Sequence, residues 1–257
     1  MLAGLWIIHV NPRELHAVPN VHFIEGEEGC AYAREHGCDA VVVDALRASA
    51  TAASMLYHGA RGILVTREVE EAFAARAANP AALLYGERGG LPPEGFDHGN
   101  SPAEGRHADG HDVIFTTTNG AARMVQSWGA SGIFMGTSVN ASALTRVLHQ
   151  RHRDVVLIPA GLVTDPDYDA QEDRAAAAYI ALRLGWPLGE GAAACRAWQG
   201  RVQEEGLDAL FATAPHGDAL RQIGMEDDIR RCAAIDTHPA VPMAVERTPH
   251  GVLLRSA

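Results

Sequence analysis

The stretch Val41-Val42-Val43-Asp44-Ala45-Leu46-Arg47-Ala48-Ser49 is a β-branched run that stops on a carboxylate, passes an arginine and enters a helix through small residues. The run is continuously apolar rather than alternating, the pattern of a strand covered by helices on both faces. The same rhythm repeats outward from it. Short apolar strands are expected at 40–43, 62–66, 82–86, 112–116, 132–136 and 155–159, with helices between them at 51–58, 68–78, 121–128 and 140–150. This alternation predicts an α/β layered domain. A long helix follows at 170–184, stopped by Gly185 and Pro187. Further helices are expected at 191–203, 207–212 and 218–223, and a closing hairpin pairs 241–245 with 252–254 around 249–251. The apolar stretch Leu5, Trp6, Ile7 and Ile8 lacks the basic lead and small-residue cleavage site of a signal peptide, so it reads as a first strand. The expected fold is a three-layer α/β/α single domain over 1–257, around a mostly parallel or mixed sheet.

All 21 basic residues are arginine, and lysine is absent. That removes a P-loop lysine, a Schiff-base lysine and a lysine general base. Any anion gripped by side-chain charge must be gripped by arginine or by a bound metal. The 32 acidic residues leave a formal charge of −11, which argues against nucleic acid and anionic membrane as partners. No apolar run approaches the roughly 20 residues that span a bilayer. Cys30, Cys38, Cys195 and Cys232 form no C-x-x-C pair and are too few for a disulfide scaffold. Reduced thiols in a cytoplasmic protein are expected, and a homodimer is compatible with the sequence.

Four motifs sit where expected strands end, the edge at which open α/β sheets bind ligands. Asp44 and Arg47 form the first: a carboxylate able to hold metal or attack phosphorus, and a guanidinium suited to bidentate anion contact. An N-capping turn with a surface ion pair is the plainer reading of the same residues. Gly86-Glu87-Arg88-Gly89-Gly90 repeats the theme. The third, Phe96 to Glu104, lies in the Gly- and Pro-rich stretch 87–111, where a long loop signals function. It contributes Asn100 and Ser101, and His98 as an acid/base candidate. The fourth, Thr116-Thr117-Thr118-Asn119-Gly120, gives hydroxyls and backbone N–H groups before a helix, an anion cradle without lysine or simply a well-capped start.

The acidic stretch Asp165 to Asp173 opens as D-x-D-x-D, yet Ala170 and Ala176 stand where an EF-hand needs glycine and glutamate. A dehalogenase-type D-x-D fails too, because Leu46 stands two residues after Asp44. Glu172 and Asp173 at a helix start serve either as dipole complements or as hard oxygen ligands for Mg2+.

Taken in order, V-x-D-x-L-R-A, G-E-R-G-G, G-F-D-x-G-N-S-P-x-E, T-T-N-G, G-x-x-x-N-A-S-A and E-D resemble the 2-phosphosulfolactate phosphatase family. The resemblance runs from about Cys38 to Leu184 and, more weakly, through Asp228-Ile229-Arg230-Arg231-Cys232 to Pro242. It implies a three-layer α/β domain and Mg2+-dependent hydrolysis of 2-phospho-3-sulfolactate to 3-sulfolactate and phosphate, a step of coenzyme M biosynthesis. Two departures bear on substrate choice. Relatives commonly continue T-T-N-G with Thr-Arg where this chain has Ala121-Ala122, and their helix after the E-D pair often reads x-x-Cys-Ala-Gly where this chain has Ala176-Ala177-Ala178.

Carried over by position, the family motifs match Asp44, Arg47, Glu87, Arg88, Asn100, Ser101, Thr117, Thr118, Asn119, Gly120, Glu172 and Asp173. Residues and resemblance together assign catalysis to Asp44, Glu87, Glu172 and Asp173, with Asp44, Glu172 and Asp173 holding Mg2+. Arg47 and Arg88 are expected to bind the phosphate and the sulfonate or carboxylate of a small anionic substrate. Asn100, Ser101, Thr117, Thr118, Asn119 and Gly120 complete its cradle. Direct attack by water and an aspartyl-phosphate intermediate both remain open. So do a different small phosphorylated acid as substrate and a non-catalytic anion binder.

Overall fold

A computed structural model describes residues 18–165 and 167–257. The strand expected at the start of the chain lies outside them. The first half runs β1 (Val21–Phe23), α1 (Gly26–His36), β2 (Asp39–Val43), α2 (Ala48–Tyr57), β3 (Gly62–Thr66), α3 (Val69–Ala78), β4 (Leu83–Gly86) and β5 (Asp112–Thr116). It continues through α4 (Gly120–Gln126), β6 (Gly132–Met135), α5 (Ala141–Arg151), β7 (Val155–Pro159) and α6 (Gln171–Leu184). Helices α7 (Ala192–Glu205), α8 (Leu207–Ala212), α9 (Pro215–Gln222) and α10 (Glu226–Ala233) then precede the hairpin β8 (Pro242–Thr248) and β9 (Gly251–Ser256).

One nine-stranded sheet takes the order β1-β7-β2-β6-β8-β9-β3-β5-β4. Pairing is parallel within β1-β7-β2-β6 and within β3-β5-β4, and antiparallel at β6-β8, β8-β9 and β9-β3. The sheet is therefore mixed: two parallel blocks joined by a central hairpin. The three antiparallel junctions reverse the sense of the second block. The carboxyl ends of β2 and β5 nevertheless meet, since the Gly120 N–H just after β5 donates to Asp44 Oδ2 just after β2 at 2.8 Å.

Strand β2 shows why its sequence is continuously apolar. Val41 and Val43 enter a core with Leu144 and Leu148 of α5, Ala175–Ala178 of α6 and Phe211 of α8. Ala40 and Val42 enter a second core with Cys30 and Ala33 of α1, Met55 of α2 and Met124 of α4. All three valines are fully buried, each contributing about 1.5–3 kcal/mol. A smaller core under α3 joins Ala72 and Ala75 to Leu84 and Ile114. The first two cores lie on opposite faces of β2, between the sheet and the helices on either side, which makes three layers.

The six expected strands lie at their expected places. Three elements were not foreseen. Strand β1 has only three residues, too short to display a period. In α1 only Gly29, Cys30 and Ala33 are buried, so small residues carry its inner face. Helix α10 is mostly charged but turns Asp228, Ile229, Cys232 and Ala233 inward. The stretch 87–111 is not structureless, since a 3-10 segment occupies Pro102–Ala108 with Ser101 accepting from the Ala103 N–H. The four cysteines are buried and form no disulfide. Among the described residues no helix is long and apolar enough to cross a membrane.

Candidate active site

Asp44 follows directly on β2 and is 7% exposed. Its Oδ1 accepts from the Ala48 N–H (3.2 Å) and its Oδ2 from the Gly120 N–H (2.8 Å), so one carboxylate ties the starts of α2 and α4 together. Only glycine fits at 120: a Cβ there would stand 2.8 Å from Asp44 Oδ2 and 3.0 Å from the Ala48 Cβ. Asp173, in the first turn of α6, accepts from Ala45 N–H (2.7 Å) and Gly161 N–H (3.1 Å), which pins the ends of β2 and β7. Glu172 beside it is 2% exposed, with Oε1 3.3 Å from His216 Nδ1 and Oε2 buried without a partner.

These three carboxylates share one cavity of about 280 Å³ with Glu87, Asn119, Tyr168 and His216. Burial pushes the Asp44 carboxyl up, and Glu87 adds to the rise while His216 and the N–H donors oppose it. Burial also raises Asp173 well above the carboxylate range, reinforced by Glu172 and Asp44. Burial lowers His216, but its bond to Glu172 and the charges of Glu172 and Asp44 outweigh that and hold the imidazole above its usual value. The cavity stabilises positive charge and resists a bare anion.

Among the described residues, no three Asp, Glu, His or Cys side chains are grouped so as to hold a metal ion unaided. The carboxylates expected to bind Mg2+ thus line one cavity without forming a ready-made ligand set. Each is turned by its own bonds: Asp44 towards Gly120, Asp173 towards Gly161 and Glu172 towards His216. Mg2+ tolerates such an open arrangement, since it commonly takes one or two carboxylates and completes its shell with waters and substrate phosphate. The hard oxygen donors and the orphaned Glu172 Oε2 fit that ion.

The anion-binding residues divide. Arg47, 2% exposed, donates Nη1 to Asp228 Oδ2 (2.8 Å) and Nη2 to the Gly90 carbonyl (2.6 Å). It lines an inner recess of the cleft together with Asp44, Glu87 and Asn100, whose buried Oδ1 has no partner. Ser101 is turned away, its Oγ donating to Asp228 Oδ1 (2.6 Å). The cradle expected at 117–120 is closed by protein groups. Thr117 Oγ1 accepts from Ala121 N–H, Thr118 donates both its N–H and its Oγ1 to Glu87 Oε1, and the Gly120 N–H is taken by Asp44. Asn119 reaches the cavity wall, with its Oδ1 accepting from Val163 N–H (3.0 Å).

Arg88 is a correction. Its guanidinium donates to the carbonyls of Glu87 and Arg67 (2.7 Å each) and to Thr116 Oγ1 (3.0 Å), so it ties strand ends and does not line the cleft. Replacing it, R88A, is expected to lower the melting temperature while leaving KM for substrate within about twofold. A steady-state titration beside a thermal melt checks this. His98 is a second correction: it stacks on His107 with centroids 5.0 Å apart and against Tyr85 at 4.5 Å, away from the carboxylates.

His216 and Asp228 were missed. The expected helix at 218–223 starts at Pro215, which places His216 in its first turn. A histidine in a first turn runs against the helix dipole, and that was the available signal. Asp228 entered only through the weaker stretch of the resemblance, with no role attached, because its partners Arg47 and Ser101 are remote in sequence.

The model of the 2-phosphosulpholactate phosphatase family matches residues 30–247. Curated relatives agree. The probable 2-phosphosulfolactate phosphatase of Carboxydothermus hydrogenoformans is 35% identical over 207 residues, covering 79% of this chain and 84% of the relative. That of Deinococcus radiodurans is 34% identical over 223 residues (83% and 91%), and that of Pseudothermotoga lettingae 33% over 213 (83% and 91%). A cleft of three buried acids backed by a buried arginine, together with these matches, places the chain in the 2-phosphosulfolactate phosphatase family.

Proposed function

We propose that the protein is a Mg2+-dependent phosphomonoester hydrolase that converts 2-phospho-3-sulfolactate and water to 3-sulfolactate and phosphate, in coenzyme M biosynthesis. The observation that carries this reading is the unpartnered, buried Glu172 Oε2 beside two carboxyls raised first by burial, then by neighbouring carboxylates: Glu87 for Asp44, and Glu172 and Asp44 for Asp173. Such a group needs a cation, and so does a phosphate approaching it. Asp44, Glu172 and Asp173 would hold Mg2+, which when bound supplies charge stabilisation for the phosphoryl oxygens.

The chain's own residues do the remaining work. Arg47 has five N–H donors, two of them engaged by Asp228 and Gly90, which leaves donors for an anion in the recess that it lines. The Asn100 amide offers a donor and an acceptor in that recess, and Asn119 adds its amide from the wall. Glu87 fixes the Gly90 and Thr118 backbones around the opening. His216 orients Glu172 through their 3.3 Å contact. Both Asp44 oxygens already accept N–H bonds, which favours attack by water over attack by Asp44.

The deciding measurement is phosphate release from 2-phosphosulfolactate with Mg2+, with and without a chelator, beside other small phosphorylated acids. Turnover with Mg2+ that chelation abolishes and added Mg2+ restores is expected. Full activity after exhaustive chelation would remove the metal from the reading. Preference for another acid would change the substrate, and phosphate release from none of them would leave an anion-binding protein.

A further inference from the structure

A second cavity, about 560 Å³, shares no described residue with the acidic cleft. It is bounded by the end of α2, the 3-10 segment Pro102–Ala108, α10 and the loop after it. Its charge is opposite to that of the protein as a whole. Arg106, Arg230 and Arg231 line it with His58 and His238, and Asp227 is its one carboxylate. Asp227 pairs with Arg230. No ion pair or hydrogen bond of the Arg106 or Arg231 side chains occurs among the described residues, in a chain of formal charge −11 where acids outnumber bases.

The aromatic side of the cavity is ordered. His58 Nδ1 lies 2.8 Å from the Ser54 carbonyl, and the His238 backbone N–H is held by Val139 O at 3.0 Å. The His58 and His238 rings stand 5.7 Å apart, each meeting Tyr57 edge-on at 5.1 and 5.5 Å. Burial holds the His238 imidazole below its usual range, and the positive charges of His58 and Arg231 add to the fall. A concave wall on which two of three arginines lack a counter-charge is suited to a small multivalent anion. Arginines reach the cavity from both the 3-10 segment and α10, so an anion with several oxygens can meet both sides.

We propose that this cavity is a second anion site, separate from the catalytic cleft, that binds a small anion of diphosphate class between Arg106, Arg230 and Arg231. It does not depend on which phosphate ester the cleft hydrolyses. The test uses pyrophosphate and the full chain in chelator, with the His216 imidazole reporting any anion that enters the acidic cleft instead. Histidine-selective NMR should show saturable shifts of the His58 and His238 imidazoles. The double variant R106A/R231A should weaken pyrophosphate by tenfold or more while its phosphatase activity stays within twofold of the parent. Both arginines are exposed and unpaired, and an unchanged melting temperature verifies that the variant folds. Absence of saturable shifts at His58 and His238, or equal affinity in the double variant, would overturn the site. So would shifts that follow protein concentration instead of pyrophosphate, since a second copy of the chain would then cover the cavity.

Discussion

Replacing Asp44 by asparagine, D44N, is expected to lower turnover by about 10³-fold or more, equivalent to ~4 kcal/mol of lost transition-state stabilisation. The side chain is nearly isosteric, and its amide oxygen still accepts one N–H. What disappears is a full negative charge at the end of β2, where Asp44, Glu172 and Asp173 line one cavity. The substituted amide also points an NH2 group at either the Gly120 or the Ala48 N–H, since Asp44 now accepts from both. A modest loss of stability therefore accompanies the loss of rate. Phosphate-release kinetics at saturating Mg2+ decide the matter, with circular dichroism as the control. Activity within tenfold of the parent would remove Asp44 from the chemistry.

The second large effect lies away from the carboxylates. Arg47 and Asp228 are 2% and 4% exposed and paired at 2.8 Å, so D228A leaves a guanidinium buried without its counter-charge. Breaking such a pair from one side costs about 3–5 kcal/mol. At about 2–4 °C per kcal/mol, the melting temperature should fall by ~6–20 °C. Ser101 loses its acceptor at the same time. The companion variant R47M/D228L removes both charges and restores packing, so it should recover much of the stability. It should not recover substrate affinity, because Arg47 lines the recess beside Asp44 and Asn100. If D228A melts like the parent, the pair is not a supporting element. If the double variant keeps a normal KM, Arg47 does not contact substrate.

How much of this was legible in the sequence differs from residue to residue. Val41–Val43 announced a two-face-covered strand because burial on both sides leaves a continuous apolar run, and Asp44 was placed at the strand end by the same reading. Glu172 and Asp173 were visible as acids opening a helix, though their proximity to Asp44 was not. Arg47 and Arg88 looked equivalent, each an arginine after a strand-end carboxylate. Side-chain direction separates them: Arg47 is drawn inward by Asp228, whereas Arg88 finds acceptors on Arg67 and Thr116. Local sequence holds no record of either partner. The polar run 117–120 looked like an empty cradle, because nothing nearby in the chain says that carboxylates from β2 and β4 already occupy its N–H groups. The closing hairpin was expected at 241–245 and 252–254, but its neighbours β6 and β3 are set by tertiary packing alone.

The position of that hairpin has a bearing on how the chain is made. Ile63 pairs with Leu254, and Phe134 with Met243, so a hairpin that follows every other strand in sequence fills the middle of the sheet rather than its rim. A nascent chain can assemble each parallel block early, yet β6 and β3 then present unpaired inner edges. Exposed strand edges of this kind invite pairing with other chains. Docking of the hairpin thus becomes a folding event: the two halves acquire a shared sheet, and the cleft between their strand ends its walls, only when β8 and β9 insert between β6 and β3.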